Sequence, residues 1–141
     1  MAETLTLSVI TPERSVVKDI TAEAVVIPVV DGSMGILVNH APMVANLRIG
    51  MLKYKQNGGY KRIALSGGFM ELSNNRITVL ADTAELGDSI DVLRAQEARK
   101  RAETRLRDRS DNIDHVRAQI ALRRAVNRLR AAGVIDEDRK G

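Results

Sequence analysis

The chain has 141 residues, of which 44% are hydrophobic, 28% are charged and 2% are aromatic, with no Cys. The length suits one domain, or a domain of roughly 80–90 residues with a smaller appendage, and the absence of Cys excludes disulfides and thiolate metal sites. No apolar run approaches the length of about 20 residues that a membrane-spanning helix needs, and the N-terminus lacks the basic start of a signal peptide. We therefore expect a protein without direct membrane insertion, in the cytoplasm or held peripherally on another component.

The charge is divided unevenly along the chain. Residues 1–88 hold 8 Lys/Arg and 9 Asp/Glu, whereas residues 89–141 hold 14 Lys/Arg and 9 Asp/Glu. The C-terminal excess is mostly Arg, whose planar guanidinium makes bidentate contacts with carboxylates and phosphates. We expect the partner of the C-terminal part to be acidic or anionic.

Short strands are predicted up to about Asp82. The segment 4–9 alternates polar and apolar residues, which is the period of a strand buried on one face. The Asn-Gly-Gly sequence at 57–59 predicts a hairpin turn, and the Ser-Gly-Gly sequence at 66–68 is expected to break the strand that precedes it. Many short strands separated by turns predict an all-β sandwich or barrel with an aliphatic core.

A helical pattern begins after Gly87. Asp88 or Ser89 is expected to cap a first helix that runs from Ile90 to about Arg107. The break at 110–112 is expected to supply the cap of a second helix, from either Ser110 or Asp111.

The second helix is predicted to reach about Ala132, with Gly133 as its C-terminal cap. Strips of alanine on both helices allow a close antiparallel hairpin. Burial of apolar surface stabilises by roughly 25 cal/mol per Å², and alanine buries little area, so the hairpin should be held weakly. We interpret it as a movable element.

The first helix carries a candidate anion-binding face. With 3.6 residues per turn, Asp91, Arg94, Ala95, Ala98 and Arg101 fall on one side of the helix. The alternative interpretation is a solvated basic face with ordinary i, i+4 ion pairs, such as one between Glu97 and Arg101.

Arg124 and Arg128 form an i, i+4 pair on the second helix. If the alanine-lined faces of the two helices meet, these guanidiniums converge with those of the first helix, close to Glu85. An anion of several charges, such as a nucleotide phosphate chain, would relieve the excess positive charge.

The sequence favours neither catalysis nor nucleic-acid binding. His40 has no Asp, Cys or second His near it in sequence, and His115 lies among charged residues of the second helix, where it is expected to be exposed. No paired carboxylates or Ser-His-Asp arrangement can be assembled. The glycine-rich segments are not followed by helix starts, so they do not form phosphate loops. Acidic residues dilute the basic patch, and aromatic residues for base stacking are scarce.

Three ordered motifs resemble the ε subunit of bacterial F-type ATP synthases. They are Asp-Gly-Ser-Met-Gly-Ile-Leu at 31–37, His-Ala-Pro at 40–42 and Ala-Leu-Ser-Gly-Gly-Phe at 64–69. The resemblance extends through the helical hairpin and covers nearly the whole chain. It implies an N-terminal β-sandwich domain of residues 1–86, followed by a two-helix antiparallel regulatory hairpin in residues 87–141.

The resemblance also implies a non-catalytic rotor subunit at the cytoplasmic face of the membrane. In this family the sandwich contacts the γ subunit and the c ring, and His40 is assigned to that rotor interface. The hairpin lies either folded on the sandwich or extended toward the catalytic α/β head, where its basic residues face acidic segments and inhibit ATP hydrolysis.

Some members of the family bind ATP on the folded hairpin through the motif Ile/Leu-Asp-x-x-Arg-Ala, which stands here at 90–95. The alternatives are an inhibitory subunit without significant ATP binding and a free-standing nucleotide-binding module. The resemblance implies an ATP site, with or without Mg²⁺, formed by Glu85, Asp91, Arg94, Ala95, Arg101, Arg124 and Arg128.

Overall fold

The computed structural model describes residues 4–110 and 113–135, and in these ranges strands precede helices as predicted. The first helix begins two residues later than expected, after a short 3-10 turn at Gly87–Ser89. The elements are β1 Leu5–Ile10, β2 Ser15–Ala22, β3 Ala24–Val29, β4 Gly32–Ile36, β5 Met43–Gln56, β6 Gly59–Ser73, β7 Arg76–Ala81, β8 Ala84–Leu86, α1 Val92–Arg107 and α2 His115–Ala131.

The strands form one continuous sheet that folds over itself into a sandwich. Their order is β2-β1-β7-β6-β5-β3-β4, with β8 paired to β6. The long strands β5 and β6 run through both halves of the sandwich. One end of the β5–β6 pair lies next to β7, and the other end lies next to β3 and β8. Leu7 and Val79 from one half and Ile27 and Ile63 from the other are fully buried in a single aliphatic core. The predicted all-β sandwich is confirmed.

The prediction that the Ser-Gly-Gly sequence breaks a strand is wrong. β6 continues through it, because β5 and β7 hold the strand on both sides. Gly68 has a φ of +114°, and a Cβ at this position would overlap the carbonyl oxygen of Leu80. Glycine therefore permits a corner and a close approach of β7 within one strand.

The residues predicted to cap the N-termini of the helices are also wrong. Asp91, rather than Asp88 or Ser89, caps α1: its carboxylate accepts a hydrogen bond from the backbone N–H of Arg94 at 3.1 Å. The backbone N–H groups of the first helical turn have no partner within the helix, and an aspartate three residues earlier, in extended backbone, can accept a hydrogen bond from one of them.

Asp114 caps α2 in the same way, with its carboxylate 3.0 Å from the backbone nitrogen of Arg117. Ser110 is not the cap, and Asp111, the other candidate, lies outside the described residues. At the C-terminal end Gly133 has a φ of +80°, and the N–H of Val134 donates to the Leu129 carbonyl. The predicted glycine cap is confirmed.

The helical hairpin docks on the sandwich through α2. α1 packs along α2, and α2 packs against β5 and β6. A second, smaller cluster joins Ala64 of β6 to Ala95, Leu129 and Ala131 of the helices, with Ile90 beside them. The apolar contact between hairpin and sandwich is therefore small and rich in alanine.

Asp19 connects three strands at the edge of the sandwich. Its backbone N–H donates to the hydroxyl of Ser8 on β1 at 2.9 Å, and Arg76 Nη1 on β7 donates to its carboxylate at 2.6 Å. The hydrogen bond and the positive charge of Arg76 lower the pKa of the Asp19 carboxyl from its usual 3.8. The ionised form of Asp19 is thus favoured by folding.

We expect Asp19→Asn to lower the melting temperature slightly at pH 7. Because the folded-state pKa is lowered, the contribution of the carboxylate is present above the usual pKa of 3.8 and is lost as the pH falls through the folded value. The difference from wild type should therefore shrink as the pH is lowered, in thermal unfolding followed by circular dichroism. Glu13→Gln, in an exposed turn, is the control. A difference that grows below the usual pKa would contradict this role.

We expect Gly68→Ala to destabilise the sandwich by more than about 1 kcal/mol, because alanine is strained at positive φ and its Cβ meets β7. Chemical denaturation of the full chain measures this. Gly35→Ala is a matched control, since open space surrounds Gly35. Equal stability of the two variants would show that Gly68 is not required at the corner.

Candidate functional site

A cleft of about 320 Å³ lies where the two helices meet the sheet. β6 and β8 form one wall, and α2 forms the other together with Ala98 of α1. The hydroxyls of Ser66 and Thr83 hydrogen-bond to each other on the sheet side. The other polar side chains that line the cleft are Glu85, Arg124, Asn127 and Arg128.

Glu85 and Arg128 form an ion pair across the cleft. Arg128 Nε lies 2.7 Å from Glu85 Oε1, and Nη2 donates to Oε2 at 3.2 Å. The side chain of Arg128 is 26% exposed and that of Glu85 is 35% exposed, so the pair is partly removed from water. Strand β8 fixes Glu85 opposite Ala64 of β6, and α2 brings Arg128 to it. The pair joins the hairpin to the sandwich and neutralises one arginine of the predicted site.

Arg124 adds a positive charge at the mouth of the same cleft. It lies one helical turn before Arg128 on α2, and its side chain is exposed. The i, i+4 spacing read from the sequence therefore does place both side chains on the cleft side of α2. Three of the predicted residues, including Glu85, are brought together.

The four predicted residues of α1 do not line the cleft. Asp91 is exposed and uses its carboxylate to cap the helix, and Ala95 is fully buried in the cluster that contains Leu129. Arg94 and Arg101 are exposed, four residues before and three residues after Ala98. Both arginines therefore lie on the flank of α1 that borders the cleft, with their side chains outside its lining.

Ordinary i, i+4 ion pairs are present on α1, but they involve other residues than the predicted Glu97–Arg101 pair. Glu103 lies 3.2 Å from Arg99 and 4.0 Å from Arg107. Arg99 and Arg107 are thus paired with an acid of the same helix, whereas Arg94 and Arg101 lie on the flank that borders the cleft.

Sequence reasoning missed Asn127. This residue is 8% exposed, and its side-chain amide donates to the backbone carbonyls of Gly50 at 2.7 Å and Leu65 at 3.2 Å. The available signal was an Asn inside a helix of Ala, Leu and Arg, since Asn is unfavourable in helix interiors. That signal does not identify strand carbonyls as the acceptors.

The two histidines lie outside the cleft lining. His40 is in the connection between β4 and β5, where Nδ1–H donates to the carbonyl of Ala41 at 2.8 Å. His115 begins α2 and is exposed, as expected, with Nε2–H donating to the carbonyl of Asp108 at 2.7 Å.

Within the described ranges 4–110 and 113–135, neither α1 nor α2 is long and apolar enough to cross a bilayer.

Comparison with known proteins gives close relatives over most of the chain. The sequence is 69% identical over 135 residues to a protein of Symbiobacterium thermophilum named ATP synthase epsilon chain, covering 96% of this chain and 97% of the relative. It is 51% identical over 109 residues to the ATP synthase epsilon chain of Desulfitobacterium hafniense, covering 77% of this chain and 82% of the relative.

The fold is also found in solved structures. A chain in the structure of the Euglena gracilis mitochondrial ATP synthase, comprising OSCP, F1 and the c ring, matches with a TM-score of 0.79 at 22% identity over 94% of this chain and 82% of that chain. Residues 4–87 match the β-sandwich domain of the ATP synthase delta/epsilon chain, and residues 88–133 match its long α-helix domain. The chain belongs to the ATP synthase delta/epsilon chain family.

Proposed function

We propose that this chain is the non-catalytic ε subunit of an F-type ATP synthase, that it couples the γ subunit to the c ring, and that it regulates ATP hydrolysis through a hairpin that binds ATP when docked. The two relatives described above carry the name ATP synthase epsilon chain, and the first matches over 97% of its own length. A free-standing nucleotide-binding module would not need the β-sandwich of this family. The proposed location is the cytoplasmic face of the membrane, peripheral and within the complex.

The observation that carries ATP binding is the cleft with Arg124 and Arg128 on one wall. Its volume of about 320 Å³ is at the lower end of small-molecule sites, which run from about 300 to 1,000 Å³. Glu85 supplies only one negative charge to this basic region. A triphosphate would supply more, and guanidiniums bind phosphate oxygens in the same bidentate manner as they bind carboxylates.

Arg94 and Arg101 would join the site by side-chain rotation. Both lie about one helical turn from Ala98, which lines the cleft, and both are exposed. Their long side chains can therefore turn toward a ligand without movement of α1. Asp91 would keep the start of α1 ordered as its cap, and buried Ala95 would allow the two helices to lie close together.

A ligand in this cleft would stabilise the docked hairpin. The site is composed of β8, α1 and α2, so it exists only while both helices lie on the sandwich. A ligand that binds only the docked state shifts the equilibrium toward it, by RT ln(1 + [L]/Kd). ATP would thus oppose the extended, inhibitory state.

The proposed rotor contacts use the sandwich. Phe69 and Leu80 are paired across β6 and β7 and are 46% and 40% exposed, and Val44 on β5 is 71% exposed. Exposed apolar side chains that share a sheet face are typical of protein interfaces. They support a contact with γ, and His40, in the β4–β5 connection, is the candidate contact with the rotor.

An ε subunit that inhibits without significant ATP binding is the second candidate. The Glu85–Arg128 ion pair favours it, because Glu85 already neutralises the more buried arginine of the cleft without a ligand. In both candidates the remaining arginines of the hairpin would face acidic segments of the catalytic α/β head in the extended state, by charge complementarity.

We expect Arg124→Ala to weaken ATP binding to the full chain by about 1–3 kcal/mol, because a charge-assisted contact is lost. Calorimetric titration with ATP, with and without Mg²⁺, measures the affinity. Arg107→Ala is the matched control: Arg107 is at the end of α1, 78% exposed at its side chain and paired with Glu103. Equal affinities of wild type and Arg124→Ala would remove Arg124 from the site.

We expect removal of residues 89–141 to raise ATP hydrolysis by the assembled complex, because the inhibitory segment is lost. Assembly should be preserved, since the β-sandwich keeps its own core without the hairpin. Hydrolysis rates and subunit composition of the purified complex are the measurements. Unchanged hydrolysis in a fully assembled complex would refute the inhibitory role.

A further inference from the structure

Asn127 makes the polar contact between α2 and the face of the sheet. Its side chain is 8% exposed, and one amide nitrogen, Nδ2, donates to the carbonyls of Gly50 on β5 and Leu65 on β6. Gly50 and Leu65 are directly opposite each other in the β5–β6 ladder. The amide therefore bridges the two central strands at one level of the sheet.

The sheet has an irregularity at this level. The register between β3 and β5 shifts between Val26 and Val29. Pro28 lies in that interval and packs against Gly50: a Cβ on Gly50 would be 2.6 Å from the Cβ of Pro28. Proline has no N–H to donate to a neighbouring strand. Pro28, next to Gly50, thus offers no N–H to the sheet, and α2 brings the amide of Asn127 to the Gly50 carbonyl as a donor.

The same residue borders the proposed nucleotide site. Asn127 lines the cleft together with Glu85, Arg124 and Arg128. It is adjacent to Arg128 in sequence, and its two hydrogen bonds are directional, unlike the alanine contacts around it. They restrict both the rotation of α2 about its axis and its position along β5.

We propose that Asn127 is the positioning residue of the cleft: its amide holds α2 on the sheet so that Arg124 and Arg128 stand opposite Glu85. The inference rests on the proposed function for its effect on ATP. Its effect on hairpin docking is independent of any ligand, because the hydrogen bonds join α2 to backbone atoms of the sandwich.

Two substitutions test the amide. Asn127→Leu keeps a similar size and removes the donor, and Asn127→Asp keeps the shape and turns acceptor oxygens toward two carbonyls. Without ATP, we expect the backbone amides of α2 to exchange with deuterium about tenfold faster in Asn127→Leu, and faster still in Asn127→Asp. Gln119→Leu, at an exposed amide residue of the same helix, is the control and should exchange as wild type does.

Amides of the buried strands β1 and β7 provide an internal reference, because they belong to the sandwich core. They should remain protected in every variant, so that faster exchange in α2 reports undocking. Saturating ATP should restore wild-type protection of α2 in Asn127→Leu, since ligand repopulates the docked state.

Gly87→Ala opens the hairpin by a different route. A Cβ on Gly87 would overlap the carbonyl oxygen of Ala131 at the end of α2, while Gly87 has no positive φ that would strain alanine in the undocked state. The apparent ATP affinity should fall by the same factor as the docked population in both Gly87→Ala and Asn127→Leu. Arg124→Ala should lower affinity without faster exchange of α2.

Wild-type exchange of α2 in both Asn127 variants would overturn the proposal. A loss of affinity in Asn127→Leu well beyond the loss of docking would also overturn it, because Asn127 would then contact the ligand directly. If wild type itself does not bind ATP, the proposed nucleotide site fails, while the exchange measurements without ligand still decide the role of Asn127.

Discussion

The docking of α2 on strands β5 and β6 is the contact on which the rest of the C-terminal structure depends. α1 reaches the sandwich mainly through α2, and the cleft has walls on both the sheet and the helices. The apolar part of this contact consists of small side chains such as Ala64 and Ala131, with Leu129. At roughly 25 cal/mol per Å², alanine contributes little, so directional contacts carry much of the specificity. The hairpin is thus placed by directional contacts and makes only a small apolar contact with the sandwich.

Two polar contacts supply that specificity. The amide of Asn127 fixes α2 over the central strands, and the ion pair between Glu85 and Arg128 joins the helix to β8. The pair also offsets charge, since several guanidiniums without a counterion would repel each other in a partly desolvated cleft. In the proposed function, a ligand with more negative charge than one carboxylate competes with Glu85 for Arg128.

The sandwich and the hairpin differ in how they are stabilised. The sandwich encloses aliphatic side chains from both halves of one sheet, and its long central strands hold those halves together. In the proposed function it serves as a rigid platform while the hairpin changes position. In the proposed function, this difference lets one chain keep a permanent contact with the rotor and carry a regulatory element that moves.

The sequence by itself determined the features that depend on near neighbours along the chain. The alternation of polar and apolar residues predicted buried strands, and the change of pattern at Gly87 predicted the hairpin. The i, i+4 spacing placed Arg124 and Arg128 on one face of α2. Such patterns are set within about four residues, where the backbone geometry is known in advance. The motifs that resemble the ε subunit predicted the family to which the chain belongs.

Only the tertiary structure decided the contacts between distant residues. Strand β6 continues through its glycines because neighbours on both sides hold it, which no local signal indicates. Glu85 meets Arg128 across 43 positions, and Asn127 meets Gly50 across 77. Arg94 stays outside the cleft lining, although its spacing along α1 is favourable. The physical reason is that such contacts depend on how the helices pack on the sheet, and a repeating pattern within one helix carries no information about that packing.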